Sequence, residues 1–216
     1  MNILEIKNVN IYYGGKEILK DINIDIKKNE ILCIMGPSGC GKSTLLSLIN
    51  GFLIENGGEY TGDVILKREN IKAMKPIQLR RSISTLFQDS KPFPLSIENN
   101  ILYPIEFYEG KVKNKKERIS SYLKDVNLYN EVKDDLKMSA LKLSGGQKQR
   151  LCIARMLTTD PDILIFDEPC SSLDMENTLI IEKLIKRLSE KYTVILTTHN
   201  EEQAKRIADR TILIGK

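Results

Sequence analysis

Apolar positions along this chain fall into three patterns, and each predicts a different element. Ile22, Ile24 and Ile26 alternate with Asn23 and Asp25; a period of two marks a strand buried on one face and predicts an antiparallel sheet near the N-terminus. Ile31–Met35, Ile163–Phe166 and Val194–Leu196 are continuous apolar runs bounded by Gly, Asp or Thr, as expected of central parallel strands covered on both faces. Polar residues follow each run, at the strand ends where open α/β sheets hold ligands. Helical spacing appears in Ile97–Phe107, Ile119–Val126, Gln147–Leu157 and Leu179–Leu188, and again after Asn200. Asn200 is a predicted N-cap, with Glu201 and Glu202 in the first turn of its helix. The stretch from Asp89 to Leu157 carries no convincing strand pattern. These patterns predict one α/β domain over residues 1–216. Its core, from 1–88 and 158–216, has a mostly parallel central sheet and an N-terminal antiparallel β subdomain; a helical subdomain is inserted at 89–157.

Composition narrows the class without choosing a function. A chain of 216 residues, 41% hydrophobic and 29% charged, is ordinary globular usage and long enough for a full core. The balance of 33 basic against 29 acidic residues, net +4, is too even to imply a nucleic-acid partner. The densest basic run, Lys111, Lys113, Lys115 and Lys116, reads as a solvated loop and helix start. Cys33, Cys40, Cys152 and Cys170 lack metal-ligand spacing and read as reduced thiols in a cytosolic protein. No apolar run approaches the ~20 residues of a membrane span, and Met1–Lys7 lacks the apolar stretch of a signal peptide.

The chemistry sits in a few short segments. Gly36-Pro37-Ser38-Gly39-Cys40-Gly41-Lys42-Ser43 fits the pattern G-x-x-x-x-G-K-[ST] between the run Ile31–Met35 and the apolar helix of Leu45, Leu46, Leu48 and Ile49. That strand–loop–helix context is what a phosphate-cradling P-loop requires. Its glycines let backbone N–H groups curl round a β-phosphate, Lys42 reaches the β/γ-phosphates, and Ser43 can bind Mg²⁺. Thr44 extends the contact set by one residue. The pattern arises by chance in on the order of 1% of chains this long. The sheet pattern is therefore read as a P-loop NTPase core.

Ile163-Leu164-Ile165-Phe166-Asp167-Glu168 is a buried strand ending in two carboxylates. After a P-loop, this assigns Asp167 to Mg²⁺ and Glu168 to the water that attacks the γ-phosphate. Leu143-Ser144-Gly145-Gly146-Gln147 adds a second Gly-rich helix start with a hydroxyl for phosphate contact. One nucleotide does not need two such cradles from one chain.

That last string resembles the signature of ABC ATPases, continued by Lys148-Gln149-Arg150 as that family usually has it, and the resemblance extends over nearly the whole chain. It implies that Tyr13, before Gly14-Gly15, stacks on adenine. Gln88, after the strand Ile83–Phe87, is similar to the glutamine that touches Mg²⁺ and senses the transporter. Ser171-Ser172-Leu173-Asp174 resembles the loop that crosses between subunits, and His199, the single histidine, resembles the switch residue that contacts the γ-phosphate. The implied catalytic set is Glu168, His199 and Lys42, with ATP and Mg²⁺ as ligands. The resemblance further implies a head-to-tail homodimer, each ATP closed between the P-loop of one copy and Ser144, Gly145, Gly146, Gln147 and Asp174 of the other. Integral membrane permease subunits would be its further partners, at the cytoplasmic face of the cell membrane.

Within the family, Leu79-Arg80-Arg81, Pro92–Ile97, Ser139-Ala140-Leu141, Leu151–Arg155 and Thr198-His199-Asn200 look most like the ATPases of phosphate importers. This implies inorganic phosphate as cargo and an extracytoplasmic solute-binding protein as a further partner. The ending at Gly215-Lys216, directly after the apparent strand Thr211–Ile214, is instead similar to short ATPases of metal exporters, which stand as the alternative. A soluble ABC ATPase of translation or repair would carry a second cassette or a long insertion, and a P-loop kinase would leave Leu143–Gln147 unexplained.

Overall fold

The computed structural model describes residues 1–89 and 91–215; Ser90 and the Lys216 of the expected C-terminal ending lie outside them. The chain opens with a long hairpin, β1 (Asn2–Tyr13) and β2 (Lys16–Lys27). Its two-residue turn is Gly14-Gly15, both at positive φ (55° and 76°), the conformation in which a tight turn matches the twist of the strands. β4 (Gly58–Leu66) and β5 (Glu69–Asn70) complete an antiparallel sheet in the order β2-β1-β4-β5. Sequence pattern alone missed β4. Gly62, at φ 80°, sits where a Cβ would lie 2.3 Å from the carbonyl oxygen of Asn8, in the irregular register between β1 and β4. That bulge breaks the alternation that would announce a strand.

The second sheet is parallel, in the order β6-β7-β8-β3-β9, built from β3 (Ile31–Met35), β6 (Ile83–Leu86), β7 (Ile163–Asp167), β8 (Thr193–Thr197) and β9 (Arg210–Leu213). The continuous apolar runs become the strands covered on both faces. Ile31, Cys33 and Met35 pack into one core with Phe166, Leu196 and the helices of the middle stretch. Leu32 and Ile34 face the other core, with the antiparallel sheet and with α1 (Lys42–Ile49).

Between β6 and β7 lie α3 (Ile97–Glu109), α4 (Lys115–Asp125), α5 (Tyr129–Val132) and α6 (Gly145–Leu157), with a single isolated bridge, Ser96 to Ser139, among the described residues. Polar residues set where the helices begin. Ser96 caps α3 by accepting the N–H of Asn99, and Asn200 caps α8 (Glu201–Ile207) by accepting that of Gln203. Asp174 does the same for α7 (Met175–Ser189), accepting the N–H of Asn177 at 2.8 Å. α2 (Pro76–Ser82) and α5 escaped the sequence reading because they bury one residue each, Leu79 and Val132, and so carry no apolar stripe.

Candidate active site

The register of the parallel sheet brings the candidate residues to one edge. Leu86 pairs with Phe166, and Asp167 pairs with Thr197, whose other neighbour is Ile34. The residues that follow, Gln88, Glu168, His199 and Gly36, therefore leave the same carboxyl end side by side.

The loop between β3 and α1 is shaped by what its glycines touch. A Cβ at Gly36 would stand 2.5 Å from the carbonyl oxygen of Ile214 and 2.7 Å from Cys40 Sγ, and one at Gly41 would stand 2.8 Å from Leu19 Cδ2. The loop is thus pinned between the end of β9 and β2, with Gly41 in the left-handed region at φ 103°. Pro37, Ser38 and Gly39 are exposed at its rim. Lys42 turns inward: its ammonium donates to the carbonyls of Gly36 (2.8 Å) and Pro37 (3.0 Å), and the residue is only 7% exposed. No carboxylate among the described residues lies within 4.0 Å of it. A buried cation held only by carbonyl dipoles, at a helix start with free N–H groups, is built for an anion.

Opposite stand the carboxylates. Ser43 Oγ donates to Asp167 Oδ2 at 3.2 Å, and Thr197 Oγ1 donates to Asp167 Oδ1 at 2.6 Å. The same Thr197 accepts the N–H of Glu168, at 3.0 Å from its hydroxyl and 3.2 Å from its carbonyl oxygen. Glu168 is at φ 46°, a conformation that costs a non-glycine residue of order 1–3 kcal/mol and persists where the surroundings impose it. Thr197 imposes it. The motif search missed this residue, although a threonine closing an otherwise apolar buried run was its signal. Gln88 Nε2 reaches Glu168 Oε2 at 3.5 Å, and His199 Nδ1 lies 3.3 Å from the same oxygen. An open cleft of about 380 Å³ is lined by Ile18, Gly39, Lys42, Ser43, Thr44, Gln88 and Glu168 among others. Tyr13 ends β1 half-buried, outside that lining.

Ser144–Gln147 does not line this cleft. Ser144 is the N-cap of α6 in a reciprocal capping box: its Oγ accepts the N–H of Gln147 at 3.3 Å, and Gln147 Oε1 accepts the N–H of Ser144 at 3.0 Å. Ser144 and Gly145 are exposed. Gly146 is not, because a Cβ there would lie 2.1 Å from Asn177 Oδ1, whose amide is held by both oxygens of Asp174 at 2.9 and 3.0 Å. Asp174 therefore serves this chain as a helix cap, and its carboxyl is held well below the usual carboxylate range by the N–H and amide of Asn177. Cys170, between the carboxylates and this cap, is pushed up to about 11 by burial.

A glycine-rich loop at a helix start, strand-end carboxylates and a second, exposed glycine-rich helix start are the arrangement of a nucleotide-binding ATPase of the cassette type. A family model described as ABC transporter matches residues 19–171. The chain belongs to the ABC transporter family, as one of its ATP-hydrolysing components. Among particular proteins, it is 46% identical to the phosphate import ATP-binding protein PstB of Malacoplasma penetrans, over 98% of this chain and 75% of that protein. It is 44% identical to phosphate import ATP-binding protein PstB 1 of Bacillus licheniformis, over 97% of this chain and 83% of that one. Among solved structures, a dimeric ATP-binding cassette in a post-hydrolysis state with ADP and Pi superposes with TM-score 0.81 at 30% identity, covering 98% of this chain and 94% of that one. A bacterial Atm1-family exporter with ATP bound gives 0.82 at 26% identity, over 98% of this chain but only 37% of the exporter. No described helix is long and apolar enough to cross a membrane.

Proposed function

We propose that this chain is the ATP-hydrolysing subunit of an inorganic phosphate importer, working as a pair of copies on separate membrane permeases at the cytoplasmic face. The observation that carries the reading is Lys42, a buried cation with no ion-pair partner among the described residues, which lines one cleft with Glu168 and with Ser43, itself hydrogen-bonded to Asp167. The likeness to phosphate import proteins over nearly the whole chain supports the choice of cargo, and an extracytoplasmic solute-binding protein completes such a system.

In this reading the backbone of Gly36–Thr44 wraps the phosphates, Lys42 offsets their charge, and Tyr13 stacks on adenine. Ser43, Asp167 and Gln88 are hard oxygen donors of the kind Mg²⁺ takes. Mg²⁺ keeps several waters and takes phosphate oxygens, so a single carboxylate with a hydroxyl and an amide oxygen suffices to hold it beside the nucleotide. Mg²⁺ supplies charge that stabilises the transferring phosphoryl group. Glu168, oriented through its backbone by Thr197, accepts the proton of the attacking water, and His199 holds the γ-phosphate in place. Ser144–Gln147 and Asp174, which face nothing in their own cleft, meet the nucleotide of the second copy. A two-fold pair completes two sites from one sequence.

The helices of 89–157 form a subdomain that carries Ser144–Gln147 toward the partner, while 1–88 and 158–216 form the ATP core. Phe87 beside Gln88 is half exposed with its ring 6.0 Å from that of Phe52, an apolar surface suited to passing the state of the site to a permease. Deleting the gene should impair phosphate uptake at low phosphate while leaving other solutes unaffected. Normal uptake together with raised sensitivity to a metal ion would favour export instead.

A further inference from the structure

The exposed turn at Ser144 is braced from behind by a helix that carries none of the nucleotide motifs. α5 places Glu131 against the first turn of α6, where its carboxylate accepts from Arg150 Nη1 (2.7 Å) and Nη2 (3.0 Å) and from Gln147 Nε2 (3.0 Å). A carboxylate only accepts. It therefore selects the end of the Gln147 amide that faces it: with the NH₂ turned to Glu131, the amide oxygen is left for the N–H of Ser144. Turned over, the amide would set oxygen against carboxylate and NH₂ against N–H. Arg150, 6% exposed and also donating to the carbonyl of Asn127 at 2.7 Å, is fixed in place. Its guanidinium keeps Glu131 ionised, holding the carboxyl below its ordinary value. Because the Ser144 oxygen already accepts the N–H of Gln147, its own O–H is left to donate outward.

We infer that Glu131 is the positioning residue of this second cradle: through Gln147 it holds the Ser144 hydroxyl and the free N–H groups of the α6 start in the orientation that meets the nucleotide of a second copy. The inference rests on the composite site proposed above.

Glu131→Ala would strand the buried Arg150, so the test uses Glu131→Leu/Arg150→Met, an exchange of an ion pair for apolar residues that is often neutral for stability. In the full chain with Mg²⁺-ATP, turnover should fall by about tenfold or more, as loss of an aligned donor does, at an unchanged melting temperature. The KM for ATP should stay within about twofold, because the chain's own P-loop is untouched. Glu131→Gln, which retains an acceptor for Gln147, should fall between. On a Ser144→Ala background the double substitution should cost little more, since the group it positions is gone. Wild-type turnover in the double variant, or its full loss repeated on top of Ser144→Ala, would overturn the role of Glu131. Wild-type turnover in Ser144→Ala would instead sink the composite site, and the inference with it.

Discussion

The two glycine-rich helix starts of this chain, the candidate phosphate cradles, are built alike and finished differently. Each is a glycine-rich turn at the start of a helix, with free N–H groups and a hydroxyl. The cradle of Gly36–Ser43 is closed by its own chain: Lys42 is buried beneath it, Asp167 is hydrogen-bonded to Ser43, and Glu168 is held by Thr197. The turn at Ser144–Gln147 is equally well ordered, by its capping box and by Glu131 and Asn177, yet it presents Ser144 and Gly145 to solvent; Lys148 sits half-buried in the same turn, and the nearby carboxylates of Glu131 and Asp174 are bonded to Gln147 and Asn177. A well-ordered turn whose exposed donors point away from its own cleft suits a surface completed by another molecule. The first cradle should therefore fail inside one copy when damaged, and the second only between copies.

The largest effect belongs to Lys42→Ala. It removes the one buried cation of the first cradle, so turnover should fall to background and binding of a fluorescent ATP analogue should weaken in the monomer itself. Wild-type turnover in a steady-state assay would refute the assignment of the cradle.

Glu168→Gln should slow hydrolysis by about 10²–10⁴-fold while binding survives, because glutamine keeps the shape of the side chain but cannot take the proton of the attacking water. Nucleotide that is not consumed should then keep two copies together. Size-exclusion chromatography with Mg²⁺-ATP, with Mg²⁺-ADP and without nucleotide reads this directly. A dimer present only with ATP, and lost when Ser144→Arg is added, separates the two cradles. A monomer in all three conditions, well above ATP saturation, would count against the composite site.

The sequence reading captured what periodicity and short motifs encode. Buried runs such as Ile163–Phe166 became the central parallel strands, and Asn200 became the helix cap it was expected to be. It lost β4, whose alternation is broken where Gly62 lies on the backbone of Asn8, and α2 and α5, which bury too little to show a stripe. At the site, motifs named the residues that would touch a ligand and left out those that hold them. Thr197 and Glu131 act through distances set by the register of β7 with β8 and by the packing of α5 on α6, and neither distance is written in local sequence. Asp174 carries two readings: its neighbourhood resembles an intersubunit loop, and within one copy its carboxylate also caps α7 through Asn177.

The smallest effect, and the finest division between holding the second cradle and using it, lies in its two adjacent glycines. Neither has positive φ; both are helical, so alanine fits the backbone of either. Space divides them. A Cβ at Gly145 meets nothing within 4 Å, whereas one at Gly146 meets Asn177 Oδ1 at 2.1 Å and Cγ at 2.7 Å. Asn177 would have to turn its amide away and give up its side-chain bonds to Asp174, so Gly146→Ala should be less stable than Gly145→Ala by about 0.5–1.5 kcal/mol, the usual net worth of such a hydrogen bond. Gly145→Ala should leave the chain as stable or raise it by about 0.4–1 kcal/mol, through a less flexible unfolded state. If the open space over Gly145 is where the second copy's phosphates arrive, the same substitution should nonetheless weaken ATP-driven dimerisation and turnover. Urea unfolding of the nucleotide-free monomer and the ATPase assay, run on both variants, give the two readouts. A Gly145→Ala chain that is both stable and fully active would show that nothing approaches this face closely, whatever the order of the turn beneath it.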